Sequence, residues 1–388
     1  MSGRRTPDSL KTETALIDIK QQNRNRVIQY IYAGREVQQQ MITEDLGLSR
    51  PTVIQIIREL QKDGIIYKNG YFESTGGRKA EIIHFAAQEK LTIGIELIAE
   101  AYEIAVVDLY GNVLHSERLP CTFANDENYY ARVCLDVLNF LKKFGIAQEK
   151  IIGAGIVLQG LISADGENVT YGKILNCTGL RTDAFTRWLP FECKFYHDAE
   201  SAAQKELWDS VKDQNMIYMN LRSHVSGAVI VNREFLKGTE LKSGVFEHMT
   251  LVRNGRSCYC GRKGCMDAYC STRPFIEKSG SLELFFEKLR QGEKEEKKLW
   301  REYLQYLAMS INNLHMFIDY PVVLGGTIAR YLKEEDLVLL HWMVNNQSAF
   351  PSETRFIRIS NCPHSPICRG AALSYIRGYL QELADIRI

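Results

Sequence analysis

Four residues between His248 and Cys265 carry the most specific chemistry in this sequence. In the stretch HMTLVRNGRSCYCGRKGCMDAYCS, His248 is followed by Cys258, Cys260 and Cys265. Two thiols one residue apart, a third soon after and one imidazole form a Cys₃His set, the tetrahedral donor set that zinc prefers. Gly255, Gly261 and Gly264 let the backbone turn tightly enough for ligands so close in sequence to converge. Three ordinary buried cysteines beside a satisfied histidine would not explain this spacing inside a glycine-rich loop. Cys121, Cys134, Cys177, Cys193, Cys362 and Cys368 have no ligand spacing and are expected to be core or neutral thiols.

A second group of side chains suits a nucleic acid rather than a metal. Val53, Ile56, Ile57 and Leu60 recur at i, i+3, i+4 and i+7, the stripe of a helix facing a core. Its opposite face carries Arg50, Thr52, Gln55 and Arg58. A helix over residues 15–33 and another from Val37 to Leu46 precede it. Gly47 breaks the second, and Ser49 is a good N-cap for the third. Helix, glycine-containing turn and helix, with polar donors on the N-terminal half of the last helix, is the arrangement that meets base edges in a major groove. Ile65, Ile66 and Tyr67, then Asn69-Gly70, then Tyr71 and Phe72 predict a hairpin that turns at Asn69-Gly70, which would complete a winged helix. Beyond it, in Ser74-Thr75-Gly76-Gly77-Arg78-Lys79, Arg78 is placed to enter a minor groove. On this reading Arg50, Thr52 and Gln55 contact bases, while Arg58, Lys68 and Lys79 neutralise phosphates.

These residues need a large scaffold, and 388 residues supply two or three domains. No apolar run approaches the ~18 residues of a membrane span. The N-terminal MSGRRTPDSLKTE has no apolar segment of the signal-peptide kind. Ten cysteines without a secretion signal point to a reducing, cytoplasmic compartment. The net charge of +1 gives no global attraction for DNA, so contact must come from a local patch.

The body reads as alternating strands and helices. Ile82, Ile83 and Phe85, then Thr92 to Glu96, then Ile104 to Leu109, predict a strand meander closed by the turn at Tyr110-Gly111-Asn112. A helix over 127–145 would bury Val133, Val137, Phe140 and Leu141. A strand from Ile151 to Leu158 turns at Gln159-Gly160, and a helix covers 199–210. Met216 to Leu221 and Ala228 to Val231 are further strands. Two helices, Leu282 to Leu289 and Leu299 to Phe317, are expected on either side of the solvated run GEKEEKKLW. Pro321-Val322-Val323-Leu324-Gly325-Gly326-Thr327 reads as a buried strand ending in paired glycines, which serve either ligand approach or a tight turn. Residues 369–383 form a last helix.

The pattern HMxxxxxGxxCxCGxxGCxxxxxS resembles the zinc loop of the ROK proteins, which comprise sugar kinases and sugar-responsive repressors. LGLSRPTVIQIIRELQKDGIIYKNGYFESTGGRKAEII is similar to the DNA-binding head of the repressors, whose wing ends in Ser-x-Gly-Gly-Arg. The resemblance runs from about residue 15 to 380. It implies an α/β fold: an N-terminal winged helix-turn-helix over 15–80, followed by a two-lobed actin-like sugar-kinase fold. The first lobe would be 81–200 with the C-terminal helix 366–388, and the second 201–365 with the zinc loop. The resemblance also implies a structural Zn²⁺ held by His248, Cys258, Cys260 and Cys265, with Cys270 left out and His248 also facing a sugar. By the same resemblance Gly160, His197, Asp198, His248 and Asp267 would bind an effector.

Compared with the kinases of that family, the phosphate cradles look lost. The Asp-x-Gly-x-Thr turn corresponds to Glu96-Leu97-Ile98-Ala99-Glu100, and the second, glycine-rich turn to Asn220 through Gly227. Asp198 falls on the kinase base position. The family's Gly-Glu-x-Gly-His corresponds to Gly244-Val245-Phe246-Glu247-His248, so the sugar-binding Glu has become Val245. The resemblance therefore implies a non-catalytic, cytoplasmic transcriptional regulator, a repressor of carbohydrate-metabolism genes. Its partners would be a palindromic duplex operator, a sugar or sugar-phosphate effector, and further copies of itself as a dimer or tetramer. The alternative is an active sugar kinase that carries a DNA-binding head.

Overall fold

The body uses one strand pattern twice. In the first lobe Leu91–Ile98, Ala101–Asp108 and Val113–Pro120 form an antiparallel meander, and Ile151–Leu158 then Cys193–His197 add in parallel beside the first strand. In the second lobe Met216–Leu221, Val225–Val231 and Glu234–Phe235 form the meander, and Val322–Gly325 then Ile357–Ile359 add in parallel. Both sheets thus have the spatial order third, second, first, fourth, fifth, which is the duplicated architecture of the actin-like fold. The computed structural model describes residues 7–73, 79–210, 212–362 and 367–386. Among them no helix is long and apolar enough to cross a membrane.

Helices cover both sheets for the reasons their sequences suggest. Glu127–Lys143 buries Val133, Val137, Phe140 and Leu141, and Asp126 caps its N-terminus by accepting from the Tyr129 amide. The run GEKEEKKLW is largely exposed, as expected, but most of it is helical. Lys294 already starts a helix that continues to Phe317, with Glu295 and Glu296 in its first turn, where the helix dipole favours acid. The last helix, Ile367–Ala384, packs on the first-lobe sheet at very short range. A Cβ on Gly94 would fall 1.9 Å from the Cys368 carbonyl oxygen, so only glycine fits the strand there.

The head has three helices, Pro7–Gly34, Gln39–Leu46 and Arg50–Lys62, and a three-stranded antiparallel sheet. Three local expectations are corrected here. Val37 does not begin a helix: Glu36–Val37 is an edge strand paired with His84 and Ile83. Its β-branched side chain, 1% exposed, prefers that extended backbone and fills the head core. The chain also does not reverse at Asn69-Gly70. Strand Ile66–Tyr71 runs through both residues with a register shift between Lys68 and Tyr71. A type I′ turn needs positive φ at both central residues. Here Gly70 has φ 81, while Asn69 is not among the positive-φ residues, so the glycine makes a bulge. The strand ends are instead closed by Phe72 donating to the Ala80 carbonyl at 3.0 Å. Finally, Glu81–Phe85, expected in the body's meander, is the second wing strand.

The head does not hang on a free linker. Val27, Ile28, Ile31, Val53, Ile57 and Leu60 share one core with Leu373, Ile376, Leu380 and Ala384 of the last helix. Gln29 donates to the Ala384 carbonyl at 2.8 Å, and the Tyr32 hydroxyl to the Leu109 carbonyl at 2.8 Å. The Arg35 guanidinium lies 3.4 Å from the centre of the Tyr110 ring.

Candidate DNA-reading face, metal cluster and effector cavity

The recognition-helix geometry follows from its boundary residues. Gly47 ends the preceding helix in the left-handed region at φ 63. Ser49 then caps Arg50–Lys62 by accepting from the Thr52 amide at 3.3 Å. Val53, Ile56, Ile57 and Leu60 are buried, and Arg50, Gln55 and Arg58 are exposed on the other side. Two of the residues expected to contact bases already have partners: the Thr52 hydroxyl lies 2.8 Å from Ser49 Oγ, and Gln55 Nε2 donates to Glu59 at 3.0 Å. Lys68 is paired with Glu81 at 2.8 Å across the wing, and Lys79 is exposed at its far end. Arg78, with Ser74 to Gly77, lies outside the described residues.

The zinc-loop residues converge. One ligand atom each from His248, Cys258, Cys260 and Cys265 lie within 4.8 Å of one another. Cys258 Sγ is 3.7 Å from His248 Nδ1, and Cys260 Sγ is 3.8 Å from Cys265 Sγ. A tetrahedron with metal–sulfur bonds of about 2.3 Å has edges of about 3.8 Å, so the donor set fits zinc. The knuckle depends on Gly261 and Gly264, at φ 92 and 82. A Cβ on Gly264 would sit 1.8 Å from the Val252 carbonyl oxygen. Cys270 lies apart from this cluster, fully buried with its sulfur 3.4 Å from Ser310 Oγ.

Beside the cluster is a cavity of about 350 Å³, within the range of small-ligand sites. Gly160, His197, Asp198 and His248 line it, as expected, together with Val245, Glu247 and Tyr259. Asp198 is 1% exposed; its Oδ2 accepts from Asn220 at 3.0 Å and Ser226 at 2.8 Å, while Oδ1 has no hydrogen-bond partner. Asp267 is elsewhere. It is fully buried, accepts from the Val225 amide at 2.8 Å and from Arg273 at 2.9 Å, and does not line the cavity. Its carboxylate ties the metal loop to the second-lobe sheet.

Two cavity residues were missed from sequence. Tyr259 stands between the two close cysteines, and its hydroxyl lies 3.2 Å from His248 Nε2, the ring nitrogen facing away from the metal cluster. Glu247 is 4% exposed, and burial pushes its carboxyl well above the usual carboxylate range. The available signals were a bulky aromatic inside the cysteine knuckle and an acid where the resembled pattern has glycine.

Where the resemblance would place phosphates, a cavity of about 80 Å³ lies between the two sheets, lined by Glu96, Arg222, Gly326 and Thr327. Glu96, at the end of the first strand, is ion-paired with Arg222, which begins the turn after Met216–Leu221. The chain turns directly from Ile98 to Ala101 with no glycine, and Glu100 accepts from Thr122 at 3.1 Å. The paired glycines at residues 325 and 326 serve packing. A Cβ on Gly325 would lie 2.0 Å from the Tyr218 hydroxyl, and one on Gly326 2.4 Å from the Leu221 carbonyl oxygen. Lys205, 3% exposed, also lines this cleft, and burial lowers its pKa.

Known proteins agree with this geometry. The ROK family profile matches residues 92–354, and a winged helix-turn-helix DNA-binding profile matches residues 21–67. The xylose repressor of Bacillus spizizenii is 22% identical over 263 residues, covering 67% of this chain and 68% of that protein. The DNA-binding transcriptional dual regulator NagC of Escherichia coli is 23% identical over 253 residues, covering 64% of this chain and 62% of that one. Among solved structures, a ROK family transcriptional regulator homologous to the E. coli MLC protein superposes with a TM-score of 0.72 at 17% identity, covering 94% of this chain and 98% of its own. With the profile spanning more than half of its length, the chain belongs to the ROK family.

Proposed function

We propose that this protein is a sugar-responsive transcriptional repressor whose kinase-like body senses an effector and no longer phosphorylates it. One observation carries the reading: an exposed Arg50–Gln55–Arg58 face on a capped recognition helix is fused to a body whose interlobe cleft is bridged by the Glu96–Arg222 pair. The similarity to the xylose repressor and NagC supports the same assignment. Two copies would present two heads to a palindromic operator, with half-sites separated by whole helical turns. Arg50 and Gln55 read bases once Gln55 exchanges Glu59 for a base edge. Arg58, Lys68 and Lys79 neutralise phosphates, and Arg78 enters the minor groove. Zinc on His248, Cys258, Cys260 and Cys265 fixes the cavity wall. An effector seated against Gly160, His197, Asp198 and His248 shifts the dimer between two head spacings.

The test is a gel shift on AT-rich DNA upstream of candidate sugar genes. Arg50→Ala should cost about 1–3 kcal/mol on the preferred sequence and relax its specificity. Lys68→Ala should weaken all duplexes alike and reduce the salt slope by about one. If both variants bind like the parent, this face does not read DNA. Turnover of ATP with a hexose panel, abolished by Asp198→Asn, would reinstate the kinase reading.

A further inference from the structure

We propose that the helix Asp198–Asp209 is a lever that carries the state of the effector cavity to the head, and that Trp208 and Arg369 are the positioning residues at its far end. The inference rests on the effector reading above and names the route from cavity to head. The near end of the lever is in the cavity: His197 is the N-cap of this helix and Asp198 its first residue, and both line the wall. Its 12 residues, at about 1.5 Å each, put the other end about 18 Å away. There, consecutive carbonyls of the turn Leu109-Tyr110-Gly111 each take a hydrogen bond from a different element. The Tyr32 hydroxyl of the first head helix donates to Leu109 at 2.8 Å, the Trp208 indole to Tyr110 at 3.0 Å, and Arg369 Nε of the last helix to Gly111 at 2.8 Å. The other guanidinium nitrogens of Arg369 donate to the two carboxylate oxygens of Asp209, each at 2.8 Å, so Arg369 ties the helix end to the turn.

The helix has little room to absorb a displacement. From Asp198 to Leu207 every residue except Glu200 is buried. Ala199, Ala202, Ala203 and Leu207 share a core with Tyr218, Ala228 and Val323 of the second-lobe sheet, while the far end is held to a first-lobe turn. A shift of one lobe against the other therefore moves this helix relative to the turn, and close packing passes the shift on. At the crossing with the last helix, a Cβ on Gly370 would fall 1.7 Å from the Ser201 carbonyl oxygen, so the two helices meet backbone to backbone. The turn is equally tight: Gly111 holds φ 82, and a Cβ on it would lie 2.3 Å from Trp208 Nε1. On the head side, the Tyr110 ring lies 5.0 Å from the Tyr32 ring and 5.8 Å from that of Phe85, at the end of the second wing strand. Moving Trp208 or Arg369 thus shifts the seat of both the first head helix and the wing.

The experiment perturbs one end of the helix and reads the other, in the full-length, zinc-loaded chain. D198N and H197Q alter the cavity end. W208F removes the indole donor but keeps an aromatic ring, and D209A removes the partner of Arg369. The cavity variants are made in the parent, in W208F and in W208F/D209A, with zinc content measured on each preparation. Hydrogen exchange of amides 28–34, at the end of the first head helix, needs neither operator nor sugar. D198N or H197Q should change it by about fivefold or more in the parent, the lower end of ordinary coupling between sites. In W208F the same change should shrink to about twofold or less, as one neutral hydrogen bond leaves the route, and in W208F/D209A it should vanish. If W208F alters exchange by one factor whatever stands at residue 198, Trp208 serves structure alone and the lever is overturned. Head amides indifferent to both D198N and H197Q in the parent would overturn it too. Gel shifts with D-xylose, D-glucose and N-acetyl-D-glucosamine separate the lever from the reading it serves. A sugar that weakens operator binding in the parent should do so about fivefold less in W208F. Head exchange that follows D198N through Trp208, in a chain that binds no operator or that no sugar releases, would overturn the sugar-responsive repressor reading and leave the lever standing. Sugar release of parental size in W208F/D209A would do the reverse.

Discussion

The metal loop and the interlobe cleft lie on the same body, and the two have fared differently. Each would hold a charged ligand in a related kinase. The metal loop keeps its four donors, its glycine knuckle and tetrahedral edge distances near those zinc requires. The cleft carries an ion pair instead of bare backbone: Glu96 and Arg222, 126 residues apart, meet across the lobes. The difference teaches what each site depends on. A Cys₃His cluster is one short segment and survives as a unit. A phosphate cradle needs bare backbone from two distant turns, and one side chain in either turn is enough to close it.

The largest effect expected from this contrast is at the metal. Cys260→Ser or chelation should remove about one zinc per chain and cost ~3 kcal/mol or more, read as a lower melting temperature with metal analysis. A metal-free chain of parental stability would break the comparison at its stronger end. Next is Arg222→Ala. It strands Glu96, whose side chain is 6% exposed, and should cost about 3–5 kcal/mol. Pairing Arg222→Met with Glu96→Leu should recover most of that loss. If the double variant is as unstable as the single one, the pair is not what bridges the cleft. Gly326→Ala should cost about 1–3 kcal/mol, since its φ of 82 and the Leu221 carbonyl both exclude a Cβ. An innocuous alanine would mean the strand end is looser than this backbone crossing requires. The smallest effect sharpens the comparison in the head, which is also a short-range device. Ser49→Ala removes the recognition-helix cap and should cost about 1 kcal/mol in denaturant unfolding.

What was legible in the sequence follows the same division. The convergence of His248 with Cys258, Cys260 and Cys265, the Gly47 break, the Ser49 cap and the Val53–Leu60 stripe are set by residues close in sequence, and all four stand where the pattern put them. The duplicated sheet order could be expected only by resemblance, because strand neighbours are chosen by tertiary packing. Asn69-Gly70 misled for a physical reason. The dipeptide permits a tight reversal, yet here the partner strand continues past it, and the glycine was spent on a bulge. Asp267 kept an acid near the metal loop, but its carboxylate is taken up by Val225 and Arg273. Tyr259 and Glu247 were hidden because what matters is where their side chains point, and periodicity carries no information about that inside an irregular loop.

The seating of the head on Ile367–Ala384 has a consequence for the order in which the molecule can be completed. During synthesis the three head helices leave the ribosome well before Leu373, Ile376, Leu380 and Ala384, which cover their apolar side. Until then Val27, Ile28 and Ile31 lack part of their final cover. A nascent head therefore waits for the entire body before it is locked in position. A chain interrupted anywhere before residue 367 would hold its reading helix to the lobes only through contacts such as Tyr32 with Leu109 and Arg35 with Tyr110.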